Sequence, residues 1–243
     1  MNKLKLLEKS IARITGNAFN TLNSIASNEV ATGKPNAFLE SNGKLVLFFD
    51  LFIESNESIY LVFEKKFLER ALSFFKKYLL ISKCKFELLD WKTFFSVSGE
   101  NIQGKHLKIP CREGFLIIGE NPLIEGKEFS EKEFNLFRVE NNISVQGIDF
   151  DQEMFLNLNY KEAVSFSKGC FIGQEVMARV NNLSKPPKKL VRVKLKEKSS
   201  KVFSEEKEIG EATSLAFSPE LNSFIGFSLL PNIELILDNA EIF

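Results

Sequence analysis

One short stretch of the chain concentrates a thiol, a cation, a carboxylate and an amide together with two glycines. This octet reads Lys168-Gly169-Cys170-Phe171-Ile172-Gly173-Gln174-Glu175. Glycines at this spacing permit positive φ or a close approach of the backbone to a ligand. The thiolate form of cysteine is a nucleophile and a metal ligand, so Cys170 is a candidate for covalent, redox or metal chemistry.

The residues after the octet predict the helix that positions it. From Gln174 to Asn181, apolar residues recur on one side, as in a short amphipathic helix. Cys170 then lies just ahead of a helix N-terminus, where free amide groups and Lys168 favour the thiolate and Glu175 opposes it. The alternative stays open: cysteine is often a buried small hydrophobe, Lys168 a solvated residue, and Gln174 and Glu175 part of an exposed first turn.

The octet resembles the signature K-G-C-[YF]-x-G-Q-E of the YgfZ family of folate-binding proteins. These are relatives of the aminomethyltransferase (T-protein) of the glycine cleavage system and are implicated in iron-sulfur cluster maintenance. The T-protein has a similar Lys-Gly-x-Phe-Ile-Gly frame but lacks this cysteine and the Gln-Glu pair. The octet therefore resembles the YgfZ family more than the T-protein.

The resemblance assigns roles to the octet. It implies that Cys170 acts as a thiolate in cluster or redox chemistry, through transient contact with an iron-sulfur cluster, and that Lys168 offsets its charge. The other implied positions, expected to shape the loop and to contact folate, are Gly169, Gly173, Gln174, Glu175 and Arg179.

The composition is that of an ordinary globular chain. It has 243 residues, 44% of them hydrophobic, and its 32 basic and 32 acidic residues balance. A buried core is therefore expected, and no global charge attracts the chain to nucleic acid, so direct nucleic-acid binding is not expected. The 25 phenylalanines are interpreted as core residues, because they are scattered through predicted strands and helices.

Cysteine and histidine are scarce. The three cysteines are Cys84, Cys111 and Cys170. With no Cys-x-x-Cys pair and the single His106, a complete metal or cluster site made by this chain alone is not expected, and no residue is assigned as a resident metal ligand. The N-terminal residues lack a sustained apolar region, and Asp50 interrupts the longest apolar run, so we expect no signal peptide and no membrane span. A cytoplasmic location with free thiols follows as an expectation.

The first part of the chain predicts an α+β pattern. The expected elements are strand Ser10–Gly16, helix Asn17–Ala26, strands Ala37–Leu39, Leu45–Ile53 and Ser58–Phe63, helix Lys66–Leu80 and strand Lys85–Asp90. Asn17 is the expected N-cap of the first helix. The resemblance implies the folate-binding αβ domain of the T-protein.

Asp50 lies within an apolar strand. A carboxylate there must be hydrogen-bonded, paired or functional, unless it lies on the solvent face, and periodicity alone leaves these interpretations open. The strand resembles the G-x-x-x-x-D-L strand that carries a catalytic or folate-facing aspartate in the T-protein family. The resemblance therefore implies that Asp50 is both a catalytic and a folate-binding candidate.

The middle of the chain predicts less structure. Around residues 91–127 only short strands are expected, at Phe94–Val97 and Gly114–Gly119, so the family's second αβ unit is reduced. Ser130 and Glu133 form a capping box that opens a helix running to about Glu140.

Arg138 and Glu140, followed by Asp149, resemble the family's R-x-E and G-x-D elements. A carboxylate can accept two parallel hydrogen bonds from a pterin, and an arginine suits the glutamate tail of folate. The resemblance implies that Arg138 and Glu140 bind folate, while a helix-surface ion pair and an exposed Asp149 remain alternatives.

The Pro-rich basic segment Ser184–Lys189 is the expected boundary between two domains. The resemblance implies that residues 1–184 form a folate-binding αβ domain. Residues 185–243 are expected to form a small C-terminal β-barrel of short strands, the last at Ile233–Leu237. The pattern G-x-x-T-S-x-x-x-S-P, from Gly210 to Pro219, resembles the C-terminal barrel of the T-protein family.

The leading hypothesis is a cytoplasmic, YgfZ-like protein that binds tetrahydrofolate or a one-carbon-substituted folate. Through Cys170 it supports iron-sulfur cluster assembly or repair, with an indirect effect on tRNA modification, so its expected partners are folate and iron-sulfur client or assembly proteins. One rival is an aminomethyltransferase with Asp50 as its catalytic group. Another is a non-catalytic RNA- or protein-binding scaffold that uses Lys185, Lys188 and Lys189.

Overall fold

The computed structural model describes residues 2–183 and 185–243, so Met1 and Ser184 lie outside the described residues. The chain consists of two compact units, each built from two stretches of sequence. Unit 1 comprises Met1–Phe129 with Lys161–Gln174, and unit 2 comprises Ser130–Tyr160 with Glu175–Phe243. The boundary proposed between residues 184 and 185 stays a prediction.

The elements are as follows. Unit 1 contains strands β1 (Lys3–Leu7), β2 (Lys9–Gly16), β3 (Asn36–Leu39), β4 (Leu45–Ser55), β5 (Ser58–Glu64), β6 (Cys84–Leu89), β7 (Lys92–Ser96), β8 (Ile102–Gln103), β9 (Leu107–Cys111), β10 (Gly114–Gly119), β11 (Leu123–Ile124) and β12 (Lys127–Glu128). Unit 2 contains β13 (Lys188–Leu195), β14 (Lys201–Ser204), β15 (Lys207–Ser218), β16 (Ser223–Pro231) and β17 (Ala240–Ile242). The helices are α1 (Ala18–Ile25), α2 (Leu68–Ser82), α3 (Glu131–Glu140) and α4 (Gln174–Leu183), with 3₁₀ turns at Lys65–Phe67, Phe155–Leu158 and Lys161–Ala163.

The first sheet of unit 1 is antiparallel, with the strand order β3-β4-β5-β2-β6. Because side chains alternate along a strand, the sheet has two different faces. One face packs against α1 and α2 over an aromatic core, in which the ring centroids of Phe38 and Phe74 lie 4.8 Å apart. The predicted strand and helix order of this region is confirmed.

Two details of this region differ from expectation. Asn17 precedes α1, but its side-chain oxygen accepts a hydrogen bond from the Asn20 side chain and does not cap the helix. The second helix is preceded by a 3₁₀ turn and begins at Leu68.

The second sheet of unit 1 has the order β12-β1-β7-β10-β9. It contains both strands expected between residues 91 and 127, and the described residues of that range form strands and turns without a helix. The sequence pattern did not predict β1, which pairs in parallel with β12 and antiparallel with β7. Its short run of alternating lysine and leucine is too brief for a periodicity argument.

Unit 2 is built on a curled antiparallel sheet, half of a barrel, with the order β14-β15-β16-β13-β17. Its core includes Val193, Val202 and Leu230. The strand predicted at Ile233–Leu237 is wrong: this segment is irregular and lies along β14, where Ser204 donates a hydrogen bond to the Ile236 carbonyl oxygen at 2.8 Å.

The capping box that opens α3 is confirmed. The Ser130 hydroxyl accepts a hydrogen bond from the Glu133 backbone N–H, and the Glu133 carboxylate accepts one from the Ser130 backbone N–H. None of the helices in residues 2–183 and 185–243 combines the length and the apolar character needed to cross a membrane.

Candidate functional site

The octet forms the loop that leads into α4, and its thiol is exposed. α4 begins at Gln174, four residues after Cys170, as the sequence predicted. Cys170 is exposed, Cys111 is partly buried and Cys84 is buried. The interpretation of Cys170 as a buried small hydrophobe is therefore wrong.

Lys168 ties this loop to the chain segment that follows α1. Its ammonium donates hydrogen bonds to the backbone oxygens of Ala26 and Asn28, both at 2.8 Å. Burial lowers the pKa of Lys168 to about 8, while the nearby carboxylate of Glu29 acts in the opposite direction. Lys168 thus fixes the start of the loop, and the charge compensation expected for Cys170 stays a prediction.

The segment that receives Lys168 is itself held by buried polar contacts. The Asn28 amide donates to the backbone oxygens of Pro35 and Glu162, at 3.1 and 2.8 Å. The Ser27 hydroxyl donates to the Ala163 oxygen at 2.7 Å. A carboxylate at position 28 would have no N–H to donate, so an asparagine suits this role.

The two glycines of the octet differ in their surroundings. Gly173 has φ +83°, and a Cβ added there would lie 2.6 Å from the backbone oxygen of Glu40, in the turn between β3 and β4. Only glycine fits this close approach without strain. Gly169, by contrast, has no heavy atom within 4 Å of an added Cβ, so the backbone beside Cys170 borders open space.

The end of the octet combines a local hydrogen bond with an exposed ion pair. The Gln174 side-chain oxygen accepts from the Phe171 backbone N–H at 3.3 Å, which supports the expected role of Gln174 in loop geometry. Glu175 pairs with Arg179 at 3.0 Å, and their side chains are 87% and 66% exposed. Both charges are free to meet a ligand or partner because so little of either side chain is buried.

Asp50 lies on β4 of unit 1, on the sheet face opposite α1 and α2. Burial raises the pKa of the Asp50 carboxyl, Lys9 lowers it and Glu64 raises it further. The apolar strand therefore carries a carboxylate with a charged neighbourhood, which the sequence alone did not reveal.

Arg138 and Glu140 lie on α3 in unit 2 and are engaged within the protein. The Arg138 guanidinium pairs with Asp149 at 3.1 Å and also donates to the Ile143 oxygen, the Asn135 side chain and the Ser214 hydroxyl. The Glu140 carboxylate accepts from Ser218 at 2.8 Å. The folate contacts expected of both residues stay predictions.

Asp149 is the centre of this arrangement. Its side chain is fully buried, and it accepts hydrogen bonds from Thr213 at 2.8 Å and from Ser214 at 2.5 Å. Ser214 sits at a β-bulge with φ 51°, which turns both hydroxyls toward the carboxylate. We call Arg138, Asp149, Thr213 and Ser214 the Asp149 network. The alternative of an exposed Asp149 is wrong. Motifs in the sequence marked the four residues separately, but nothing in the sequence indicated that they contact one another.

The structure therefore places the predicted residues in three settings. The octet up to Gln174 lies in unit 1, Asp50 lies elsewhere in unit 1 on β4, and Arg138 and Glu140 lie in unit 2. A cavity of about 310 Å³ in unit 1 is lined by other residues, among them Asn17, Asn20 and Asn56.

Comparisons with known proteins bear on the fold and on sequence kinship. The glycine cleavage system aminomethyltransferase T from Bartonella henselae, in its crystal structure, superposes with a TM-score of 0.79, covering 99% of this chain and 83% of that chain at 14% identity. The chain has the T-protein fold. The predicted α+β class with the T-protein fold is confirmed, and the expected small C-terminal β-barrel is present as a curled sheet that forms half of a barrel.

Two relatives match part of the sequence. An uncharacterized protein of Haemophilus influenzae is 33% identical over 152 residues, which are 59% of this chain and 53% of that protein. The mitochondrial iron-sulfur cluster assembly factor IBA57 homolog of Mycosarcoma maydis is 36% identical over 63 residues, 24% of this chain and 16% of that protein. No family model matches the chain. The matched stretches span about half of the first relative and much less of the second.

Proposed function

We propose that this chain is a YgfZ-like, folate-binding protein of the T-protein fold that supports iron-sulfur cluster assembly or repair through Cys170. One observation carries the proposal: the octet exposes a single thiol on a loop that is anchored on both sides of it, at Lys168 and at Gly173. Lys168 is bonded to two backbone oxygens, and Gly173 lies against the β3–β4 turn. The loop is therefore held while its sulfur is left open to solvent.

The exposed thiol suits a transient contact with a cluster. Iron-sulfur clusters are held mainly by cysteine thiolates, usually four of them. Of the three cysteines in this chain, Cys84 is buried and Cys111 is partly buried. Cys170 would therefore act together with ligands supplied by a client or assembly protein, and the cluster is cargo rather than a resident cofactor. The IBA57 homolog is named as an assembly factor, which supports this half of the proposal.

Folate is the proposed small ligand, supported by the fold shared with an aminomethyltransferase. Asp50 and Gly169 of unit 1 are the groups best suited to it, because no described residue donates a hydrogen bond to Asp50 and Gly169 borders open space. Glu175 and Arg179 are largely exposed, and the folate contacts expected of them stay predictions. Arg138 is less suited, since it already neutralises the buried Asp149. In this proposal the protein works in the cytoplasm, and tRNA modification is affected only through cluster-dependent enzymes.

Cluster repair in vitro tests the proposal. An oxygen-damaged iron-sulfur client is incubated with iron, reductant and this protein, and recovery of cluster absorbance is followed with and without tetrahydrofolate. We expect the native protein and Cys111→Ser to restore absorbance and Cys170→Ser to fail. Equal recovery with Cys170→Ser would refute the role of the thiol. Calorimetry showing no tetrahydrofolate binding at millimolar concentration would refute the folate half.

The fold match also favours a second candidate, an aminomethyltransferase that uses Asp50 as its polar catalytic group. Formation of methylenetetrahydrofolate from an aminomethylated carrier protein tests it directly. Turnover that is lost in Asp50→Asn and kept in Cys170→Ser would favour this candidate over the first.

A further inference from the structure

Three charged residues share one face of the first sheet of unit 1. The register places Lys9 of β2 directly opposite Glu64 of β5, and Asp50 of β4 opposite Val62. Because side chains alternate with a period of two, Glu64 and Val62 point to the same face, and Asp50 is the diagonal neighbour of Glu64. This face lies opposite the one that packs against α1 and α2.

The three residues form a coupled charge cluster. The Lys9 ammonium lies 2.6 Å from the Glu64 carboxylate, and their side chains are only 16% and 22% exposed. Burial lowers the pKa of Lys9, but Glu64 and Asp50 raise it by more, so the ammonium stays charged. Cys111 of β9 also faces the cluster, and burial, followed by the charge of Asp50, raises the pKa of its thiol to about 12. Near neutral pH Cys111 is therefore uncharged.

The roles of the two carboxylates differ. Glu64 accepts a hydrogen bond from Lys9. The charges of Lys9 and Glu64 act on Asp50, but none of the described residues donates a hydrogen bond to its carboxylate. A carboxylate with unused acceptor sites can take two parallel hydrogen bonds from paired N–H donors, such as those of a pterin ring. It does so only when ionised, since the neutral acid offers fewer acceptor sites.

We propose that Lys9 and Glu64 are positioning residues that control the charge of Asp50, and that this charge governs capture of the paired N–H donors of a folate pterin. Lys9 favours the ionised carboxylate, and Glu64 opposes it while holding Lys9 in place. The ligand half rests on the proposed function, and the control of Asp50 by its neighbours does not.

A carboxyl titration tests the control. The chain has five aspartates, Asp50, Asp90, Asp149, Asp151 and Asp238. Selective ¹³C labelling of the aspartate carboxyl groups therefore gives few NMR signals. The signal that disappears in Asp50→Asn is assigned to Asp50. We expect Lys9→Met to move the Asp50 midpoint to higher pH and Glu64→Gln to move it to lower pH.

The matched variants separate charge control from folding effects. Lys9→Arg keeps the charge and should keep the native midpoint, as should Lys201→Met, which removes a Lys–Glu pair of similar length in unit 2. Shifts of the same sign in Lys9→Met and Glu64→Gln, or no shift in either, would overturn the proposal. Circular dichroism identifies any variant that fails to fold. If Lys9→Met does not fold, the test is made with the other two variants: Glu64→Gln should lower the Asp50 midpoint and Lys9→Arg should leave it unchanged.

Tetrahydrofolate affinity, measured by calorimetry between pH 5 and 8, tests the ligand half. We expect Asp50→Asn to weaken binding about tenfold, the equivalent of one charge-assisted hydrogen bond. The low-pH loss of affinity should move upward in Lys9→Met and downward in Glu64→Gln. Native binding that is unchanged in Asp50→Asn would overturn the ligand half alone. Absence of native binding would refute the folate part of the proposed function and with it the ligand half, while the NMR titration still decides the control of Asp50.

Discussion

The octet and the Asp149 network both match motifs of the same resemblance, yet the octet exposes its thiol to solvent whereas the network buries its charged side chains. In unit 2, Asp149 is fully buried and Arg138 is 8% exposed, and hydroxyls and carbonyls of the same unit complete their hydrogen bonds. In unit 1, the polar anchors of the octet hold backbone in place, while Cys170 and the backbone at Gly169 border solvent.

A motif match therefore does not by itself mark a functional site. The donors and acceptors of a fully hydrogen-bonded buried ion pair are already used within the fold. An anchored loop with an exposed thiol still has a reactive group that a ligand or partner can reach. We therefore interpret the Asp149 network as the polar core of unit 2 and the octet as the working loop. Three experiments, in order of decreasing expected effect, test this difference between the two regions.

Asp149→Ala should have the largest effect. It leaves the buried Arg138 charge without its partner, which typically costs about 3–5 kcal/mol of unfolding free energy. Urea denaturation followed by circular dichroism measures the loss. Glu175→Ala, which removes one partner of an exposed pair, is the control and should change stability far less. Equal effects of the two substitutions would remove the distinction between the regions.

Within the octet, Gly173→Ala and Gly169→Ala form a matched pair. Gly173 combines positive φ with a 2.6 Å approach to the Glu40 oxygen, so its substitution should cost about 2 kcal/mol. Gly169→Ala meets open space and should stay within about 0.5 kcal/mol of the native protein. The same denaturation experiment compares them, and a reversed order would contradict the described loop.

The lowered pKa of Lys168 predicts a smaller, pH-dependent effect on the free energy of unfolding. Its pKa is about 8 in the folded protein against an ordinary value of 10.5, so between these pH values the unfolded chain binds more protons. Stability must then rise with pH in this window. Relative to Lys168→Arg, which stays charged in both states, the native protein should gain about 1 kcal/mol after allowance for solvent screening.

Urea denaturation of both proteins at pH 7, 8, 9 and 10 measures this difference. Other titrating groups cancel because the two chains share them. A difference that stays constant with pH would show that the Lys168 ammonium is not buried by its carbonyl contacts.

Local signals in the sequence were sufficient for much of the fold. The capping box of α3 was predictable because Ser130 and Glu133 are three residues apart, and α4 was predictable from apolar spacing. The glycine at position 173 permits the positive φ that the structure shows, although the sequence did not distinguish it from Gly169. These features depend on neighbours along the chain, which a single sequence displays.

Contacts between distant residues could not be predicted. Lys9 and Glu64 are 55 residues apart, and nothing in either segment fixes the register that pairs them. Thr213 and Ser214 reach Asp149 only because a β-bulge turns them inward. For the same reason the sequence suggested a ligand for Arg138, whereas the structure surrounds it with acceptors of the protein itself.

Alkylation of the native protein tests the central claim that the octet presents a working thiol. The chain is treated with iodoacetamide near neutral pH, and the modified cysteines are located by mass spectrometry over time. We predict that Cys170 is modified first, that Cys111 is slow because burial raises the pKa of its thiol to about 12, and that buried Cys84 is slow as well. Modification of Cys111 or Cys84 ahead of Cys170 would contradict the account.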